Sequence, residues 1–125
     1  MRRSFRTSGF EVDERLRGAM NVELLYFDGC PSYENLLPRL RALLEDAGAG
    51  DALALRRVES ESAAERERFL GSPTVRVNGR DVDPGAGERS DFGLKCRLYR
   101  TGGGLEHVPP EGWIRNALDR AEQRA

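Results

Sequence analysis

Val22-Glu23-Leu24-Leu25-Tyr26-Phe27-Asp28-Gly29-Cys30-Pro31-Ser32-Tyr33 decides the fold: a near-continuous apolar run closes on Asp28-Gly29 and hands the chain to a cysteine followed by proline. Such a run suits a strand covered on both faces, as in the middle of an α/β sheet. Pro31 has its φ preset for the first helical position, so a helix is predicted to begin there. At a helix start, unpaired backbone N–H groups and the positive end of the macrodipole favour a thiolate over a thiol. Cys30 is therefore read as a nucleophile, against the usual reading of an isolated cysteine as a small buried hydrophobe.

Beyond this stretch, Leu36, Leu37, Leu40, Leu43, Leu44 and Ala47 form the stripe of an amphipathic helix ending at Gly48, and Pro38 within it predicts a bend. Ala52 to Val58 predicts a second strand, with Leu53, Leu55 and Val58 toward the core and Ala54 and Arg56 away from it. That amphipathic alternation puts it at or near a sheet edge. Ser62 with Glu65 makes a capping-box pattern that opens a short charged helix ending at Phe69-Leu70-Gly71. Ser72-Pro73-Thr74-Val75-Arg76-Val77 runs into Asn78-Gly79, a strong hairpin signal, and the return strand is predicted over Arg80 to Asp83.

A polar loop follows to Gly93, and Lys95 to Tyr99 alternates again, with Cys96 and Leu98 on one side and Lys95, Arg97 and Tyr99 on the other. Thr101 to Gly104 turns the chain, Leu105 to Val108 reads as extended, and Pro109-Pro110 opens a closing helix. Trp113, Ile114, Ala117, Leu118 and Ala121 are its predicted buried stripe.

A chain of 125 residues, 38% hydrophobic and 33% charged, supports one modest core. A net charge of -1 supplies no long-range field to recruit nucleic acid or an anionic membrane surface, and no apolar run is long enough to cross a bilayer. Two cysteines form at most one bridge, too few for a disulfide framework and consistent with a reducing compartment, so a cytoplasmic location is expected. Residues 1–19 mix Arg2, Arg3, Arg6, Arg15 and Arg17 with Glu11, Asp13 and Glu14, without apolar periodicity or a secretory core. They read as a flexible tail before a domain over 20–125, with Met20 as an alternative initiator.

The order strand, cysteine-led helix, strand, helix, Ser-Pro-Thr strand, hairpin return and closing helix resembles the thioredoxin-like superfamily over Met20 to Ala125. Pro38 lies eight positions after Cys30, where thioredoxins carry a helix-kinking proline. Pro73 stands where the family has its cis-proline, and Asn78-Gly79 sits at its hairpin turn. The resemblance implies an α/β fold: a central mixed four-stranded sheet flanked by helices, an inserted segment after the hairpin and a closing C-terminal helix. It also implies a thiol-disulfide oxidoreductase with Cys30 as the catalytic sulfur. Ser72, Pro73 and Thr74 would face the substrate, joined by Pro31 and Tyr33 of the motif. The expected partner is a small-molecule thiol or a protein disulfide, and no cofactor is implied.

Cys30-Pro31-Ser32-Tyr33 departs from the family's Cys-x-x-Cys, because Tyr33 replaces the second cysteine. Three readings follow. Cys30 acts as a monothiol, or is resolved by Cys96, or belongs to a non-catalytic binding module that kept the fold. With the return strand at Arg80 to Asp83, the segment Pro84 to Val108 emerges beside Cys30 and Cys96 comes within reach. With Lys95 to Arg100 as the fourth strand instead, Cys96 sits about three to four residues of ~3.4 Å each from that edge, and pairing fails. Asn78-Gly79 favours the first register, while a core position beside Leu98 is the simpler reading of Cys96.

Among the remaining signals, Tyr33 either donates to the thiolate or covers the helix start, and His107 reads as a solvated loop residue. Two soft thiolates with Asp28 also raise soft-metal or organomercurial handling through Cys30 and Cys96 as an alternative. Zinc is not expected, since two cysteines and one histidine fall short of four ligands.

Overall fold

In the computed structural model, which describes residues 20–124, β1 (Val22–Tyr26) is the strand about which the other elements are arranged. The tail predicted over 1–19 lies outside the described residues. β1 leads into α1 (Ser32–Asp46), β2 (Leu53–Arg57), α2 (Glu61–Glu67), β3 (Thr74–Val77) and β4 (Arg80–Asp81). A small hairpin of β5 (Tyr99–Thr101) and β6 (Gly104–Glu106) precedes α3 (Glu111–Arg124). The main sheet has four strands in the order β2-β1-β3-β4. β2 runs parallel to β1, from Val22 opposite Leu53 to Tyr26 opposite Arg57, whereas β3 is antiparallel to both β1 and β4. The protein is thus α/β, with a mixed four-stranded sheet, three helices among the described residues and a helix at the C-terminal end.

Period explains the layers. Val22 and Leu24, two apart on β1, and Val75 and Val77, two apart on β3, point to the same side of the sheet. There they meet Leu36, Leu40, Leu43 and Leu44 of α1 and Ile114 and Leu118 of α3. Leu25 points the other way, into a smaller cluster with Val58, Ala64 and Phe69. A fully buried leucine contributes roughly 1.5–3 kcal/mol. The α1 and α3 side therefore carries most of the stability, and the α2 side covers the opposite face of β1. Pro38 sits inside α1 as expected, and Ala47 and Gly48 (φ 74°) end it. No helix among the described residues is long and apolar enough to cross a membrane.

Several expectations are corrected. β2 is an edge strand, but Leu55, paired with Leu24 and on the same side of the sheet, is 43% exposed because it overhangs the helical layer. The cap of α2 is Ser60, whose hydroxyl accepts from the Ala63 N–H at 3.0 Å, and not Ser62; Arg68 ends the helix in the left-handed region at φ 57°. The hairpin turn at Asn78 (φ 52°) and Gly79 (φ 80°) stands where expected, yet the return strand stops at Asp81.

The larger correction concerns 95–99. The alternation is real but the buried side is the opposite one: Cys96 and Leu98 are exposed, while Arg97 and Tyr99 are buried. Cys96 is therefore not a core position beside Leu98. Trp113 is half-buried against the core that Ile114 and Leu118 enter, and His107 is exposed.

Candidate functional site

The turn after β1 delivers Cys30. Its N–H donates to the Phe27 carbonyl at 3.3 Å, closing the turn through Asp28 and Gly29. Gly29 is required there by space: a Cβ at that position would stand 2.6 Å from the Phe27 ring. Pro31 is the N-cap of α1, one position earlier than predicted, so Cys30 sits just before the first turn of a 15-residue helix. Its sulfur is completely buried and donates to the Ser72 carbonyl at 3.5 Å.

Ser72 is the meeting point of the two cysteine segments. The Ser72–Pro73 bond is cis. Ser72 pairs with Cys96 in a parallel bridge, its N–H donating to the Lys95 carbonyl and its carbonyl accepting from the Arg97 N–H, both at 2.8 Å. Gly71 (φ 126°) permits this close approach, since a Cβ there would lie 3.0 Å from the Lys95 carbonyl oxygen. Both cysteines are free thiols, Cys30 buried and Cys96 exposed, and both segments meet at Ser72, the Cys30 sulfur at its carbonyl and Cys96 through the bridge. The 95–97 segment thus runs beside the Ser72–Pro73 loop through a single bridge, without a long fourth strand.

The electrostatics of the pair are asymmetric. Burial pushes the Cys30 thiol up, but hydrogen bonding outweighs it: the Cys96 thiol first, then the Ser32 N–H and hydroxyl. Cys30 is thereby held below the ordinary cysteine range. Cys96 moves the other way, raised by donating to Cys30, by partial burial and by the charge of the Cys30 thiolate. The Ser72 hydroxyl is buried with no hydrogen-bond partner of full geometry, which leaves it free for a charged sulfur.

Arg97 anchors the Cys96 segment. Its fully buried guanidinium donates to Asp81 at 2.8 Å, Asp83 at 3.2 Å and the Thr74 hydroxyl at 2.9 Å, and its charge lies 4.4 Å from the centre of the Tyr99 ring. Burial lowers its proton affinity, yet Tyr99, Asp81 and Asp83 together hold it above the ordinary arginine value. Tyr99 in turn donates to the Pro73 carbonyl. Asp81 and Asp83 thus tie the end of the hairpin to the 95–99 segment by charge.

Of the residues expected to face a substrate, Pro31 is exposed, while Ser72 and Pro73 are buried, Ser72 with its carbonyl against the Cys30 sulfur. Thr74 is turned inward, donating to the Gly71 carbonyl at 2.6 Å and accepting from Arg97, so its hydroxyl is occupied. Tyr33 stacks on Tyr26 with ring centroids 4.1 Å apart, which fits the covering reading and not a hydrogen bond to sulfur. Asp28, invoked for a metal set, is 68% exposed and pairs with Arg57 at 2.8 Å; among the described residues no three His, Cys, Asp or Glu side chains are grouped to hold a metal.

Sequence reasoning missed Ser32 and Arg97. Ser32 was legible, since the residue two after a helix-leading cysteine presents its N–H to that sulfur. Arg97 carried only a faint signal, Asp81 and Asp83 spaced by two along the return strand. An open groove of about 500 Å³ along the β4 edge is lined by residues that include Arg68, Arg76, Arg80, Arg120, Asp81 and Asp83, and by neither cysteine. Comparison with protein-family models, curated proteins and solved structures finds no match for this chain.

Proposed function

We propose that the protein is a thioredoxin-like thiol-disulfide oxidoreductase in which Cys30 and Cys96 form the redox pair. The observation that carries this reading is the Ser72 junction, which joins the segment of Cys96 by a two-bond bridge and accepts from the Cys30 sulfur. The strand order β2-β1-β3-β4, with helices on both faces and a cysteine before the first helix, supports the thioredoxin-like assignment. Cys96 takes the part that Tyr33 cannot, so a monothiol cycle is unnecessary.

The reaction is an exchange in which the two enzyme thiols give up two electrons and two protons to a substrate disulfide, becoming one disulfide and leaving two substrate thiols; it runs in either direction. A low thiolate pKa at Cys30 favours it. Sparse cysteine usage suits the cytoplasm, where small-molecule thiols keep such a pair reduced. A binding module of the same fold would not need an unpartnered Ser72 hydroxyl beside a lowered thiol, which favours the catalytic reading.

Turnover of a small disulfide by glutathione, followed through thiol release, tests this. The native protein is expected to accelerate the exchange, and Cys30→Ser and Cys96→Ser each to abolish catalysis of the dithiol cycle. Turnover that survives both substitutions contradicts the proposal. Tight binding of Hg(II) without any exchange activity would favour the soft-metal alternative instead.

A further inference from the structure

Which sulfur meets the substrate is a separate matter, and the burial of the two cysteines bears on it. We propose that Cys96, not Cys30, is the catalytic sulfur that carries the mixed disulfide with substrate, and that Cys30 is the internal partner. This rests on the oxidoreductase reading above. It reverses the polarity that the family resemblance implies, in which the cysteine leading the helix meets the substrate.

Displacement at sulfur is in line: the attacking thiolate, the attacked sulfur and the leaving sulfur lie on one axis. Cys30 has no exposed surface and sits behind the turn from Phe27 and against Ser72, so nothing outside the protein can approach along that axis. Cys96 is exposed, so of the two it is the cysteine that a thiolate from solution can meet. An external thiolate meeting the Cys30–Cys96 disulfide therefore attacks Cys96. The Cys30 sulfur leaves with the electron pair as a thiolate just before the N-terminus of α1, whose unpaired N–H groups and dipole favour the negative charge. A better-stabilised thiolate leaves faster.

The substrate is now joined to Cys96. A second substrate thiolate attacks the substrate sulfur of that mixed disulfide, and Cys96 leaves and takes a proton from solvent. The substrate dithiol has lost two electrons and the enzyme disulfide has gained them. In reverse, Cys96 attacks a substrate disulfide and the Cys30 thiolate then attacks Cys96, expelling the substrate and restoring the internal bridge. A small-molecule disulfide such as glutathione disulfide reoxidises the pair by this reverse route.

Cys30→Ser and Cys96→Ser, each incubated natively with glutathione disulfide and followed by intact mass and peptide mapping, separate the possibilities. Cys30→Ser is expected to accumulate one glutathione on Cys96 that nothing resolves. Cys96→Ser is expected to be modified at Cys30 roughly tenfold or more slowly, with the two rates converging in denaturant, because access is what differs. Ionisation alone would favour Cys30, so a slow Cys30 reports access. Uptake at Cys30 as fast as at Cys96 overturns this assignment but not the oxidoreductase reading. No uptake by either variant, with no internal bridge in the native protein, overturns both.

Discussion

The segment that carries Cys30 is held by regular structure on every side. β1 is laddered to β2 and β3, α1 starts two residues later, and Val22, Leu24, Leu36 and Leu40 bury the scaffold beneath it. The segment that carries Cys96 lies between β4 and α3 and has only a single-residue bridge and a short hairpin. What fixes it is Arg97, which spends its planar fork on two carboxylates and a hydroxyl while its charge rests on a tyrosine ring. Where a ladder is too short to position a side chain, one buried guanidinium with several directional bonds does the same.

The most damaging way to break this contrast is Arg97→Ala. It strands Asp81 and Asp83, which are only 13% and 14% exposed, and is expected to cost about 3–5 kcal/mol in urea unfolding. The bridging amides of Ser72 and of position 97 should at the same time exchange hydrogen faster as the segment detaches. Leu40→Ala attacks the other scaffold and is expected to cost about 3 kcal/mol. Here exchange of those bridging amides in the folded protein should stay unchanged; a rise equal to that of Arg97→Ala would show that the two regions are not separately held.

Tyr99 sharpens the contrast through pH. Burial raises its pKa well above the usual tyrosine value, Arg97 partly offsets this, and Asp81 and Asp83 add to it. Because the folded pKa is the higher one, Tyr99 contributes fully below the unfolded value of about 10, and its contribution falls by roughly 1.4 kcal/mol per pH unit above that. Tyr99→Phe should cost about 1 kcal/mol at neutral pH, through the lost bond to the Pro73 carbonyl, and remove that share of the alkaline slope. An unchanged slope counts against a buried neutral Tyr99.

The smallest effect is on the thiols themselves. Ultraviolet thiolate absorbance should show one thiol ionising below the ordinary cysteine value and the other above it. A folded pKa below the unfolded one means that Cys30 stabilises the protein above the unfolded value and loses that contribution as pH falls through the folded pKa. Cys96→Ala removes the strongest donor and should move the Cys30 titration upward; no movement would mean the sulfurs do not interact.

Much of the Cys30 half was legible in the chain, because it is encoded locally. The apolar run of β1, the stripe of α1 with Pro38, and the Asn78-Gly79 turn each follow from nearest-neighbour chemistry. The Cys96 half resisted for a physical reason: its alternation was visible, but hydropathy assigns a leucine inward and an arginine outward. Arg97 reverses that only because Asp81, Asp83, Thr74 and Tyr99 converge on it from elsewhere in the chain. Ser60 displaced Ser62 as the α2 cap for a milder version of the same cause, two equivalent hydroxyls competing where tertiary packing chooses.

Everything functional turns on the two sulfurs being partners. Mild oxidation by glutathione disulfide, followed by digestion and peptide mass spectrometry, reads this directly. The expected product is monomeric protein lighter by two hydrogens, with the peptide of Cys30 linked to that of Cys96. Oxidised protein carrying glutathione on separate cysteines, or cross-linked only between molecules, would contradict it.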